Sequence, residues 1–274
     1  MQLSDLTKRI IVAIIGAPII LHVVYWGGLQ YFIFVLGISI ISLWEFYTVA
    51  KFKAIAPQTI FGMIFVSVTQ FAIYYYPTNY DLYFISLVIF IVAILTNELF
   101  KNNGSAYFNL GTTIIGAIMI SIFGISLLLI RNHLNFETGG IAMIGIIVSF
   151  WSCDTFAFIV GSKFGKHKLF PRVSPNKTWE GAISGFVASV VTIYLFKNYF
   201  YQFNNLYFIL SLGIIIGIFG QIGDLIESLF KRDAGIKDSS SFVPGHGGVW
   251  DRFDSLFFAA PIILILFIIF KIIS

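Results

Sequence analysis

Long apolar runs fill this chain from end to end, separated by short stretches of charge, Gly, Pro or Asn. A helix rising 1.5 Å per residue needs about 20 apolar residues to cross the hydrocarbon core of a bilayer. By that measure the runs predict spans at about 10–26, 29–50, 57–76, 82–100, 111–131, 140–162, 177–197, 206–230 and 253–273. The expected fold is an all-α integral membrane protein of about nine transmembrane helices, forming a single polytopic membrane domain over residues 1–274. The run that follows MQLSDLTKRI has no small-residue cleavage site, so it reads as a retained first span. Gly111, Gly116 and Gly124, in GTTIIGAIMISIFG, suit close helix packing in lipid.

Composition supports this pattern. Hydrophobic residues make up 58% of the chain, charged residues 11%, and the mean hydropathy is +0.91; soluble domains carry roughly 25% charged residues. A formal net charge of +4 without a basic stripe argues against a nucleic-acid surface. Cys153 is the single cysteine, which rules out an internal disulfide, and between Ser152 and Asp154 in an apolar span it reads as a small core residue. Nine spans with the N-terminus in the cytoplasm place 14 of the 17 Lys and Arg on the cytoplasmic side, leaving Arg131, Lys197 and Lys271 outside. The positive-inside rule therefore predicts a cytoplasmic N-terminus and an outer C-terminus; eight or ten spans would break the asymmetry.

Carboxylates are costly in hydrocarbon and usually face a cavity or a partner. Glu45, Glu98, Asp154, Glu180, Asp224, Glu227, Asp251 and Asp254 all fall in the cytoplasmic half of a predicted span or at its mouth, as a cavity open to the cytoplasm would require. Glu45 and Glu98 read as helix-end caps near Lys51 and Lys101. Asp154 and Asp224 lie deeper, at roughly 13 and 10 Å of helix rise before Lys163 and Lys231. Asp224 and Glu227 are three residues apart, as are Asp251 and Asp254, so each pair shares a helix face. Paired carboxylates beside Lys231, Arg232, Lys237 and Arg252 suit a hard divalent cation, above all Mg²⁺, bound together with phosphate oxygens. No His/Cys group has zinc-ligand spacing.

Two loops extend this polar region. In PGHGGVWDR, Gly245, Gly247 and Gly248 surround His246 just before the last span, where backbone amides at a helix N-terminus could cradle an anion. In GSKFGKHKLFPRVSPNKTWEG, residues 161–181, the lysines alone would serve to attract anionic headgroups. The ending SPNKTWEG suggests more: Ser174 can cap a helix, Pro175 suits its first turn, and Lys177 and Glu180 reach the mouth of the span, where Lys177 could bind phosphate. His22 and His133 lie towards the outer face and His167 lies among lysines, so His246 is the histidine placed for chemistry. Metal-type carboxylates and cations without a nucleophilic triad fit phosphoryl or nucleotidyl transfer.

Ser228, Lys231-Arg232, Lys237-Asp238, His246-Gly247-Gly248 and Asp251-Arg252-x-Asp254 stand at the spacing of the phosphatidate cytidylyltransferase signature, and the chain resembles the bacterial form of that family. The block WSCDTFAFIVGSKFGKHKLFPRVSPNKTWEG is similar to the family's preceding segment, so the resemblance covers about the C-terminal half. Val243 departs from it, standing where Leu, Ile or Phe is usual. The resemblance implies that CTP and phosphatidate give CDP-diacylglycerol and pyrophosphate, with Mg²⁺ and the option of a second cation, in a homodimer of the bacterial inner (plasma) membrane whose site faces the cytoplasm. It implies that Asp224 and Asp251 are the metal-binding carboxylates; the residues themselves offer Glu227, Asp238 or Asp254 as support. Lys237, Asp238 and His246 are then the remaining catalytic candidates, and Lys177, Glu180, Lys231, Arg232, Gly247, Gly248, Arg252 and Asp154 the candidates for substrate binding. Residues 136–274 would be the catalytic spans, and residues 1–135 structural spans that are candidates for the dimer contact. A transporter would need polar residues reaching the outer side as well, and a CDP-alcohol phosphotransferase would need a DGxxAR-type cluster that this chain lacks.

Overall fold

Each of the nine apolar stretches carries an α-helix in the computed structural model, which describes residues 5–133, 136–203, 205–242 and 247–270. The helices are α1 (Asp5–Trp26), α2 (Gly28–Lys51), α3 (Thr59–Tyr75), α4 (Tyr80–Leu99), α5 (Ala106–His133), α6 (Phe136–Phe164), α7 (Trp179–Leu195), α8 (Leu206–Asp233) and α9 (Trp250–Ile269). Among the described residues, six of them (α2, α4, α5, α6, α8 and α9) are long and apolar enough to cross a membrane, and α3 and α7 are shorter. The protein is an all-α integral membrane protein, and among the described residues only one strand pair departs from that class.

That pair corrects the expected start of α7. Ser174 and Pro175 belong to β2 (Ser174–Thr178), which runs antiparallel to β1 (Lys168–Phe170) with Lys168 opposite Thr178 and Phe170 opposite Ser174. Proline lacks a ladder donor but is tolerated in an edge strand. Helix α7 starts at Trp179, where the Thr178 hydroxyl accepts from Gly181 N at 3.2 Å. Thr178 therefore supplies the cap that was expected from Ser174.

The chain divides into two compact units. The first comprises Met1–Gly16, Leu29–Leu128 and Phe230–Arg252. Phe65 of α3 stacks on Phe90 of α4 with ring centroids 4.4 Å apart, and Ile94 and Ala117 complete that core. Gly116 and Gly124 behave as expected: a Cβ on Gly116 would meet Phe46 and Tyr47 at 2.7 Å, and one on Gly124 would strike the Gln70 amide. Gly111 has nothing within 4 Å. Several buried polar groups find partners, while Ser42 Oγ and Gln70 Oε1 have none among the described residues. The Tyr47 hydroxyl donates to Thr113 O, and Glu98 accepts from Gln58 Nε2 at 2.6 Å and Asn109 Nδ2 at 2.8 Å. Glu98 thus takes amide donors, while Lys101 Nζ donates to Ala56 O.

The second unit comprises Ala17–Gly28, Leu129–Leu229 and Phe253–Ser274. Arg131 is buried there, and its Nε and Nη2 donate to Val24 O and Tyr25 O at the C-terminal end of α1. A cation at that end satisfies orphan carbonyls and opposes the helix dipole, and its buried placement explains a positive charge that the topology reading put on the outer side. Small residues bring α6, α7, α8 and α9 together. A Cβ on Gly181 would lie 2.6 Å from Ala157 O, one on Gly185 2.7 Å from Cys153 O, and one on Gly223 2.7 Å from the Phe258 Cβ and 2.8 Å from Asp254 O. Cys153 is buried in this seam, as expected.

Candidate active site

Gly223 sets the geometry of the carboxylate cluster. Lacking a Cβ, it lets α8 approach the backbone of α9 at Asp254, and the next residue along α8 is Asp224. Asp224, Glu227 and Asp254 each offer a carboxylate oxygen, and the three oxygens lie within 4.8 Å of one another. Glu227 is buried and the other two are half-buried. The Asp224/Glu227 spacing on one helix face therefore forms a cluster with a third carboxylate from the last helix.

Strand β2 delivers a cation to this cluster. Lys177 Nζ lies 2.5 Å from Asp224 Oδ2, and Ser228 Oγ lies 3.4 Å from Asp224 Oδ1. The Asp254 carboxyl feels the charges of Asp224, Asp154 and Lys177, which places the α6 carboxylate Asp154 in the same electrostatic neighbourhood. Glu180 points elsewhere: it receives His167 N at 3.2 Å and sits 2.7 Å from His167 Nδ1, tying the start of α7 to the loop before β1. Three oxygen ligands beside a lysine are a donor set suited to a hard cation.

The first unit holds a second polar knot, around Asp251. Its Oδ1 accepts from Lys231 Nζ at 2.6 Å, and its Oδ2 accepts from Ser239 N at 3.1 Å, Ser239 Oγ at 3.0 Å and Gly248 N at 2.7 Å. Gly247 adopts φ +82°, a left-handed conformation that favours glycine, and a Cβ on Gly248 would lie 2.6 Å from the Glu45 carboxylate. Glu45 completes the knot. It is fully buried on α2 and accepts from Ser240 Oγ at 2.5 Å, Val249 N at 3.0 Å and Trp250 N at 2.6 Å, with Ser239 Oγ at 3.4 Å. Beside it Phe46 meets Phe230 and Trp250 edge to face, with ring centroids 5.4 Å away in each case.

Ser239 and Ser240 are the members of this region that the sequence reading did not single out, and Glu45 it took only for a helix-end cap near Lys51. The available signal was a lone carboxylate in an apolar span and an SSS run in a charged loop. Glu45 does cap a helix, but the helix is α9 and not its own. Arg232 Nη1 donates to Ile236 O at 2.9 Å, closing the end of α8. Lys237, Asp238 and Arg252 are exposed, and His246, Gly245 and Val243 lie outside the described residues.

Residues 7–270 match the cytidylyltransferase family. A phosphatidate cytidylyltransferase of Staphylococcus aureus (strain COL) is 33% identical over 267 residues, covering 95% of this chain and 98% of its own length. The protein of the same name from Bacillus subtilis (strain 168) is 29% identical over 274 residues, covering 97% and 99%. That from Staphylococcus saprophyticus is 34% identical over 267 residues, covering 95% and 98%. With nearly its whole length matched, this chain belongs to the cytidylyltransferase family.

Proposed function

We propose that the protein transfers the cytidylyl group of CTP to phosphatidate, giving CDP-diacylglycerol and pyrophosphate, at the cytoplasmic face of a bacterial inner membrane. The observation that carries this reading is the convergence of Asp224, Glu227 and Asp254 with Lys177 against Asp224, in a chain whose relatives bear the name phosphatidate cytidylyltransferase. The three carboxylates fit Mg²⁺ by donor type and separation, and Asp251 is the further carboxylate that the resemblance assigns to metal. A bound divalent ion would neutralise phosphate charge and polarise the α-phosphate.

The side chains divide the remaining work. Lys177 exchanges its carboxylate partner for phosphate oxygens when CTP enters, and Lys231, Arg232, Lys237 and Arg252 supply cations for the triphosphate and the departing pyrophosphate. A phosphatidate oxygen attacks the α-phosphorus, its bond to the β-phosphate oxygen breaks, and pyrophosphate carries the electron pair away. Acyl chains that stay in the bilayer present that nucleophile at a fixed depth. Asp154 frames the mouth, Glu180 steadies the loop before β1 through His167, His246 and Asp238 remain candidates for proton handling, and Gly247 and Gly248 shape the loop before α9. A homodimer with nine spans per chain completes the proposal. Purified protein given radiolabelled CTP and phosphatidate should form CDP-diacylglycerol with Mg²⁺ and none with EDTA. If both lanes stay empty while the protein is folded, the reading fails.

A further inference from the structure

The sequence pattern offered Gly245, Gly247 and Gly248 around His246, with the start of α9, as a phosphate cradle, but among the described residues three of its amides are already in use. Gly248 N donates to Asp251, and Val249 N and Trp250 N donate to Glu45. Val249 N and Trp250 N stand at the start of α9, where N–H groups lack intrahelical acceptors, and Gly248 N immediately precedes them. Glu45 is fully buried, and its partners among the described residues are two backbone amides and two serine hydroxyls. A buried carboxylate that took no part in fixing its surroundings would be a costly feature to keep. Ser239 joins the two acids: its single hydroxyl proton can serve Asp251 Oδ2 at 3.0 Å or Glu45 Oε2 at 3.4 Å, but not both at once.

We propose that Glu45 is a positioning residue for the reaction: a carboxylate from α2 that serves as the resident anion at the N-terminus of α9 and thereby fixes the Gly248–Asp251 segment and the Lys231–Asp251 pair. Two negative charges already face the turn, so a phosphate there would meet repulsion from both. The triphosphate is therefore held by the lysines and arginines, and the glycines admit Glu45 and Asp251. Gly248 has no room for a side chain because Glu45 and Ser239 fill the space. The kinetic part of this inference rests on the cytidylyl-transfer reading; the positional part does not.

Glu45→Gln separates the two parts. The amide keeps the shape but turns an NH₂ towards donors, leaving an amide or hydroxyl of the knot unsatisfied. Hydrogen-exchange mass spectrometry on the full-length protein in detergent should show the peptide spanning Gly248–Trp250 exchanging at least about tenfold faster, with α3 unchanged. In the same preparation kcat should fall at least about tenfold, or about 1.4 kcal/mol, with KM for CTP within about twofold. Unchanged exchange overturns the positioning role. A fall in KM for CTP also overturns it, because Glu45 would then be competing with phosphate for the turn. If exchange accelerates while the wild-type protein makes no CDP-diacylglycerol, the functional reading fails and Glu45 keeps its place. Should the variant not fold, Ser240→Ala leaves the charge and removes one donor. It should speed exchange by about two- to tenfold, and no change there would overturn the proposal equally.

Discussion

Asp224 carries two demands at once, because in the described protein its Oδ2 is held by Lys177 while Glu227 and Asp254 crowd the same space. Three carboxylates this close repel one another unless a cation is shared among them. Asp224→Asn preserves shape and removes the charge, so CDP-diacylglycerol formation should drop on the order of 10²-fold or more while the protein still inserts and folds. Near-normal turnover would remove Asp224 from the chemistry. Lys177→Ala should lower kcat/KM for CTP by about ten- to a hundredfold, the worth of a charge-assisted hydrogen bond; unchanged steady-state kinetics for both substrates would count against a phosphate role. Spacing made part of this cluster legible, since Asp224 and Glu227 share a helix face by their sequence separation alone. Glu45 was not legible in the same way. Its partner Trp250 N is 205 positions away, and an isolated carboxylate near Lys51 reads as a local cap when tertiary placement is unknown.

Helix elements were legible from hydrophobic runs because a span must be long and apolar, whereas the hairpin of β1 and β2 was hidden by a proline and a serine that equally suit a helix start. What sequence left open is which small residues bear a packing load. Gly223 and Gly111 both sit in apolar helices, yet a Cβ would meet α9 backbone and Phe258 at the first and nothing within 4 Å at the second. Alanine gains up to about 1 kcal/mol of helix propensity over glycine at either position. At Gly223 that gain is opposed by overpacking against backbone that cannot rotate away, typically about 1–3 kcal/mol. Gly223→Ala should therefore lower the thermal midpoint in detergent and cut turnover, because Asp224 and Asp254 flank the contact. Gly111→Ala should leave the midpoint unchanged or raise it. The opposite order in a thermal-shift series would disprove the packing argument.

At the scale of the whole molecule the charge distribution makes a topological claim. Nine spans with the N-terminus inside put Lys166 in the cytoplasm and Lys197 outside, on either side of α7. Helix α7 has 17 residues, short for a full crossing, so a re-entrant segment is the physical rival and would leave both lysines on one face. Both positions are exposed, and Cys153 is buried, so the native thiol should react slowly with a membrane-impermeant maleimide. In a Cys153→Ser background on intact spheroplasts, Lys197→Cys should be labelled at once and Lys166→Cys only after the membrane is opened. Equal labelling of the two would mean that α7 turns back, and the even number of crossings that remained would put the C-terminus on the same side as the N-terminus. The carboxylate cluster bears on the choice. Lys177 reaches Asp224 from the strand that leads into α7, so the face on which Lys166 is labelled is also the face from which CTP must enter.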